Sequence, residues 1–321
     1  MVYLHVVPDR PTHELAGLIL SKQRGALNRE FAAAAAAFRS PPPGSPRSAD
    51  VAWLGSQPRR SREILGGILD VAAEDVGEVL RVTFENCHAI EVLLTAEQIL
   101  PIPTMTIVRS IHEACLGVCW LADPLLTPEQ RTTRAAATTL ASIQSSLQTL
   151  EQVPSPPPNQ VRDKTEAMTG MQELLTKHGF VLNYGKGTSR YALNVSYGDS
   201  LVNLKFNATD AGKKYMPGSQ FLWPVGSGAT HSRSWFTAGL AGSRSQLAIM
   251  TTSPILDFAD ALADHLLGYV GLDATLFHQA THLRRRTLLQ RAEGHDPRDA
   301  VAGYADYAKV RDSPSRQPLG H

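Results

Sequence analysis

The sequence has little of what membrane, secreted or disulfide-rich proteins need. No run of eighteen consecutive apolar residues occurs, so no membrane-spanning segment and no membrane partner are expected. The stretch Met1 to Arg10 lacks the basic-then-apolar order of a secretory signal, which predicts a cytoplasmic protein. Cys87, Cys115 and Cys119 are the only cysteines, and none has metal-site spacing. Their apolar helical surroundings predict reduced thiols in the core.

Charge and nucleotide-binding motifs are also scarce. Thirty-one Lys and Arg residues against thirty Asp and Glu residues leave a net charge of +1, so the overall field does not favour nucleic acid as a partner. The chain has no Gly-x-x-x-x-Gly-Lys-Ser/Thr loop, no Gly-x-Gly-x-x-Gly and no Gly-x-Ser-x-Gly. We therefore expect no cofactor and no α/β-hydrolase chemistry. The abundance of Ala, Arg, Gly and Pro with few Lys is typical of a GC-rich bacterial genome.

What the chain does have is helical periodicity. With 321 residues, 43% of them apolar, it can bury a sizeable core. Thr127-Pro128-Glu129-Gln130 combines a cap residue, a first-turn proline and a Gln three residues after the cap, which indicates a helix start. Helices are predicted over Thr12 to Arg39, Ser61 to about Leu100, Thr104 to Ala122, Thr127 to about Gln152, Arg162 to His178, Ser253–Pro254 to about Val270, and Asp273 to about Arg291.

Proline-rich segments and one change of pattern organise the chain. Ser40 to Pro46 and Val153 to Pro158 are predicted to be loops or linkers. Between 180 and 206, strand-like runs alternate with glycine-rich turns. The fold class predicted is mainly α, a multi-helix bundle with a small β hairpin or sheet insertion. An N-terminal helical part, 1–152, is completed by a mixed part, 161–293, and followed by a flexible tail, 294–321.

Three patterns in the sequence have the spacing of metal ligands. Helical geometry places these side chains away from, or at the flank of, the apolar face of their own helices. Exposed polar faces and no bound metal are therefore predicted. The groups are Glu85 with His88, His278 with His282, and Asp257 with Asp260 and Asp264.

Arg109 and Glu113 lie one turn apart on an unusually apolar helix. That helix has an apolar main face, and its opposite side carries Leu116 and Trp120 beside the two charges. Such a helix is expected inside the bundle, which predicts a partly buried ion pair. The pair can serve a ligand, or it can simply fix how the helices pack.

A second candidate segment follows Tyr215 and ends at His231. Two glycines flank Ser227, which allows close approach of the backbone, and a histidine exchanges protons near neutral pH. The aromatic side chains of Phe221 and Trp223 are suited to form the wall of a pocket. We expect a site-forming loop, with a purely structural histidine as the alternative.

Together these motifs resemble a group of uncharacterised actinobacterial helical proteins, near abortive-infection-like families. The similarity spans about Ile107 to Leu240 and joins an Arg-x-x-x-Glu helix ending in Trp-Leu-x-x-Pro to a later Tyr…Ser-x-x-x-His segment. It implies that the Arg, the Glu and the His meet in space. The matching residues are Arg109, Glu113, Trp120-Leu121-Ala122-Asp123-Pro124, Tyr215, Ser227 and His231.

The functional hypothesis is a binding protein or non-redox enzyme for a small polar or anionic molecule, held in a pocket within the bundle. Arg109 would bind an anionic group, and Glu113 would orient Arg109 or act as a base. His231 would be the general acid or base, with Ser227 and Tyr215 donating hydrogen bonds.

Two alternatives remain open. One is a defence-type helical protein that acts on RNA, in which a basic groove around Arg284-Arg285-Arg286 would join His231. The other is a scaffold without chemistry. The oligomeric state is not predicted.

Overall fold

The computed structural model describes residues 11–98, 100–185, 189–219, 222–231 and 244–292. Helices dominate this part of the chain, as predicted. They are α1 (Thr12–Arg39), α2 (Pro46–Ser56), α3 (Arg59–Thr95), α4 (Pro101–Leu121), α5 (Pro128–Glu151), α6 (Pro158–Lys177), α7 (Ala208–Tyr215), α8 (Leu222–Thr230), α9 (Arg244–Val270) and α10 (Thr275–Ala292). None of the helices described combines the length and hydropathy needed to cross a membrane. The predicted tail, 294–321, lies outside the described residues.

The small β insertion predicted between 180 and 206 is a three-stranded antiparallel sheet. Its strands are β1 (Val181–Tyr184), β2 (Ala192–Tyr197) and β3 (Ser200–Asn203), hydrogen-bonded in the order β1-β2-β3. One face of the sheet buries Val195 and Val202 against α3, α5 and α6. The mainly α bundle with a small sheet is thus confirmed.

The main core forms where α1, α3, α4 and α9 pack together. Helix α4 is buried along much of its length because apolar side chains occupy more than one of its faces. Cys115 and Cys119 lie fully inside this core, and Cys87 on α3 joins them. Burial raises the pKa of the Cys87 thiol to about 12, which makes it an unreactive core side chain.

Local sequence signals gave several helix boundaries correctly. Helix α1 covers the predicted range. The predicted cap at Thr127 is present: its hydroxyl accepts a hydrogen bond from the Gln130 amide at 3.2 Å, and the Gln130 side chain accepts one from the Thr127 amide at 3.0 Å. Two backbone donors that the first turn leaves without helical acceptors are satisfied in this way.

Other predicted boundaries were wrong. Thr104 does not cap α4; it lies inside the first turn and donates its hydroxyl hydrogen to the Leu100 carbonyl. Pro254 does not open α9, which begins at Arg244 and passes through the proline. Pro46 belongs to a helix rather than a loop, because Ser45 accepts a hydrogen bond from the Ser48 amide and caps α2.

Candidate functional site

The predicted Arg109–Glu113 ion pair exists and is partly buried, as predicted, with the glutamate more open to water than the arginine. The Arg109 Nε lies 2.6 Å from the Glu113 Oε1 along α4. The Arg109 side chain is 18% exposed and the Glu113 side chain is 40% exposed. The apolar residues of α4 are more completely buried than the turn that carries Arg109 and Glu113. A pair so open to water contributes less than about 1 kcal/mol, much less than a buried pair.

Tyr215 belongs to a different cluster, at the C-terminal end of α4. Its buried hydroxyl donates to the Asp123 Oδ2 at 3.0 Å and accepts from the Arg134 Nη1 at 3.1 Å. Lys214 also contacts the Asp123 Oδ2, at 2.7 Å. Because α4 rises 1.5 Å per residue, its last residue lies about 18 Å along the axis from Arg109. The Tyr215 hydroxyl, supplied by α7, therefore lies at the C-terminal end of α4, whereas Arg109 lies about three turns before that end.

The segment predicted as a site-forming loop is largely helix α8, which corrects that prediction. The His231 amide donates to the Ser227 carbonyl at 3.0 Å, as a helical hydrogen bond does. Ser227 is half-buried and His231 is exposed just beyond the helix end. Gly228 and Ala229 are buried, and such small residues let α8 pack closely on α4. A shared pocket of Arg109, Glu113 and His231 stays a prediction.

His278 does not lie on an exposed polar face as predicted. It lies on α10 and contacts α9. Its Nδ1 is 2.9 Å from the Asp260 carboxylate, and its Nε2 is 2.7 Å from that of Asp264. These two hydrogen bonds raise the pKa of His278 to about 9, so it is an imidazolium near neutral pH. Arg285 contacts Asp257 and Asp260. The aspartates are thus arranged around cations that the protein supplies itself.

Glu85 and His88 lie on the exposed face of α3, as helical geometry predicted. Glu85 pairs with Arg81, and His88 contacts Glu91 at 3.2 Å. Within the described ranges, no group of three or more His, Cys, Asp or Glu side chains is placed to hold a metal ion.

A buried ion pair that the sequence did not reveal links three helices. Asp50 on α2 is 0% exposed, and its Oδ2 accepts from the Arg131 Nε of α5 at 3.0 Å and from the Tyr269 hydroxyl of α9 at 2.7 Å. Arg131 is 3% exposed, stacks on the Tyr269 ring at 4.2 Å, and donates to the carbonyls of Asp123 and Leu126. Burial raises the pKa of Asp50, and the Arg131 charge opposes that shift.

A second buried arginine, Arg47, adds positive charge beside this pair. Its guanidinium lies 3.9 Å from the Phe38 ring centre and 3.8 Å from the Asp70 carboxylate. Neither the Arg47 Nη1 nor the Asp50 Oδ1 has a hydrogen-bond partner among the described residues, although both atoms are buried. Unpartnered buried polar atoms are uncommon in folded proteins, and a bound water or ion is one common explanation for them.

Arg131 also lines a groove of about 870 Å³ between α1 and α3, and Arg47 packs on Phe38, another of its lining residues. Helices α4, α5 and α9 form its floor. Apolar and small side chains predominate, with charges at the margins. The lining residues are Asn28, Phe31, Ala32, Ala34, Ala35, Phe38, Arg39, Leu69, Asp70, Ala72, Ala73, Glu74, Val76, Gly77, Leu80, Arg81, Phe84, Leu121, Ala122, Arg131, Ala135, Leu266, Tyr269 and Val270.

Small residues on both walls explain why the groove is open. Ala32 and Ala35 of α1 face the groove from one side, and Ala73 and Gly77 of α3 from the other. These side chains end at Cβ or before it, so two helices in the same bundle leave space between them. The sequence signal was the alanine run 32–37, which indicated only a strong helix former.

The two ends of the groove differ in chemistry. At one end Phe31 and Phe84 pack together, with ring centres 5.5 Å apart. At the other end lie Phe38, Tyr269 and Arg131, next to the buried charges. The stretch of α1 from 28 to 39 that borders the groove is about 16 Å long. The groove therefore runs from an apolar end to a charged one.

Comparison of the chain with protein-family models, curated proteins and solved structures gives no match. The similarity to actinobacterial helical proteins therefore stays a prediction. The groove and the site hypothesis must be judged on their geometry.

Proposed function

We propose that this protein binds a small, mainly apolar molecule in the groove between α1 and α3. The observation that carries the proposal is a cavity of about 870 Å³ with small and apolar walls inside a helical bundle. Small-molecule sites typically enclose about 300–1,000 Å³ and are lined mainly by apolar and aromatic side chains with a few polar groups. The proposal keeps the predicted small-molecule ligand and pocket within the bundle. It moves the pocket away from Arg109 and replaces the predicted polar or anionic ligand with a mainly apolar one.

Binding is favoured over catalysis by the residues that border the groove. The lining residues that the structure describes include no histidine, cysteine, serine or lysine. Asp70 and Glu74 are exposed carboxylates at the margin, and Arg131 is held by Asp50. A general base or nucleophile needs a positioned, activated side chain. The proposed role is therefore ligand binding, and chemistry by Glu113 and His231 is a separate hypothesis.

The alternatives have less support from the described residues. The RNA hypothesis needs a basic groove around 284–286, but Arg285 is held by Asp257 and Asp260, and Arg284 donates to Gln23. Charge that is already paired contributes little to phosphate binding. A scaffold without a ligand remains the outcome to exclude by experiment.

Replacing Gly77 with leucine is expected to weaken ligand binding by at least about tenfold, because the new side chain enters the groove. A Cβ at this position would have no atom within 4 Å, so the helix can accept the substitution. The measurement is a fluorescence titration with N-phenyl-1-naphthylamine, a neutral apolar probe.

Gly67→Leu is the matched control for this prediction. Gly67 is also an exposed glycine of α3 with open space around its Cβ position, but it does not border the groove. Both substitutions remove a helix-interior glycine and should leave the fold as stable or more so. Equal probe affinity in the two variants, or no binding by the wild type, would reject the groove as a binding site.

A further inference from the structure

We propose that the ligand is a single-chain amphiphile with an anionic head group. The head group lies at the Arg131 end of the groove, and the chain runs between α1 and α3 towards Phe31 and Phe84. This inference rests on the proposed function and names the chemical class of its ligand.

The head-group preference follows from an excess of buried positive charge. Arg131 lines the groove at this end and is paired with one buried carboxylate, Asp50. A second buried guanidinium, that of Arg47, packs on the lining residue Phe38 without lining the groove itself. Asp70 does little to balance Arg47, because its side chain is 63% exposed and the contact is 3.8 Å long. The Arg47 Nη1 has no acceptor among the described residues. An anion near this end gains from a charge that water screens poorly.

Arg39 extends this positive end to the mouth of the groove. It lines the groove on α1, one residue after Phe38, and is exposed to solvent. Its guanidinium lies at the margin of the groove, as do the exposed carboxylates of Asp70 and Glu74. Arginine suits a carboxylate because its planar fork donates two parallel hydrogen bonds.

The other end of the groove is suited to a hydrocarbon chain. Phe31, Phe84 and the neighbouring Val76 and Leu80 present carbon atoms only. Arg81, which also lines the groove on α3, is an exposed side chain already paired with Glu78 and Glu85. The alanine walls fit a thin chain better than a broad ring system, and the length of about 16 Å fits a medium-length alkyl chain.

The test compares three ligands with the same chain and different head groups. Dodecanoate, 1-dodecanol and dodecylammonium would each displace N-phenyl-1-naphthylamine from the wild-type protein, at concentrations below micelle formation. We expect dodecanoate to bind at least about tenfold more tightly than dodecylammonium, with the alcohol between them, because a charge-assisted hydrogen bond is made only by the carboxylate.

Arg39→Gln should reduce this preference severalfold. Arg29→Gln, an exposed arginine on the same helix outside the groove lining, should leave it unchanged. Equal affinities for the three head groups, or tighter binding of the ammonium, would overturn the inference. The proposed binding of apolar molecules in the groove would then still stand. Failure of the neutral probe itself to bind would defeat the proposed function, and this inference with it.

Discussion

Asp50→Ala is expected to lower the free energy of unfolding by about 3–5 kcal/mol, the usual result of removing one partner from a buried ion pair. Arg131 would keep its charge at 3% exposure without the carboxylate at 3.0 Å. The Tyr269 hydroxyl would lose its acceptor at 2.7 Å at the same time. The loss is large because the charge that remains stays desolvated. Urea denaturation followed by circular dichroism at neutral pH measures it.

Asp70→Ala is the matched control. Asp70 is also an aspartate that contacts a buried arginine, but its carboxylate is largely in water and lies 3.8 Å from Arg47. Its removal should cost less than about 1 kcal/mol. If Asp50→Ala and Asp70→Ala changed stability equally, the pair Asp50–Arg131 would not hold α2, α5 and α9 together as described here.

Acidification is expected to destabilise the fold through His112, by about 3 kcal/mol between pH 6.5 and pH 4. His112 lies in the core of α4, stacked on Phe258 with ring centres 4.8 Å apart. Burial lowers its pKa to about 4. An unfolded histidine titrates near pH 6.5, so within this window the unfolded chain binds a proton that the folded chain does not. Stability therefore rises with pH across the window and falls on acidification.

His112→Phe should remove this part of the acid destabilisation. Neither ring nitrogen of His112 has a hydrogen-bond partner among the described residues, so a phenyl ring of similar shape loses no hydrogen bond and can keep the stacking. His88→Phe, at an exposed histidine of α3, should retain the wild-type acid dependence. Urea midpoints between pH 4 and 7.5 distinguish the variants. An unchanged slope in His112→Phe would contradict the assignment.

A pH series extended to about pH 10 should show an opposite effect of His278 on the alkaline side. Its folded-state pKa of about 9 lies above the unfolded value, so its stabilisation is fully present below about pH 6.5 and is lost as the pH rises through about 9. His278→Asn should flatten that alkaline decline. A decline as steep as in the wild type would show that the contacts with Asp260 and Asp264 contribute little.

Features that depend on neighbouring residues were predictable from the sequence. The Thr127 cap and the extent of α1 rest on contacts within a few positions, and the sheet showed itself by a local loss of helical period. The same local signals failed at α8, where two glycines flanking Ser227 indicated a loop. Packing on α4 stabilises a helix there in spite of them.

The groove and the ion pair beside it were not predictable, because they join distant parts of the chain. Asp50 lies 81 positions from Arg131 and 219 from Tyr269. Helical periodicity placed Arg109 and Glu113 on one side of α4, but it did not show how far the neighbouring helices cover that side. In the same way, Ala32–Ala37 identified a helix without indicating that α3 presents Gly77 opposite it.

The central claim is that the groove between α1 and α3 binds a small apolar chain, and a crystal structure of the protein with dodecanoate tests it most directly. We expect the alkyl chain to lie between Ala35 and Gly77, with its terminal methyl towards Phe31 and its carboxylate at the Arg131 end. A ligand found elsewhere on the protein, or a groove left empty at a saturating dodecanoate concentration, would contradict the account.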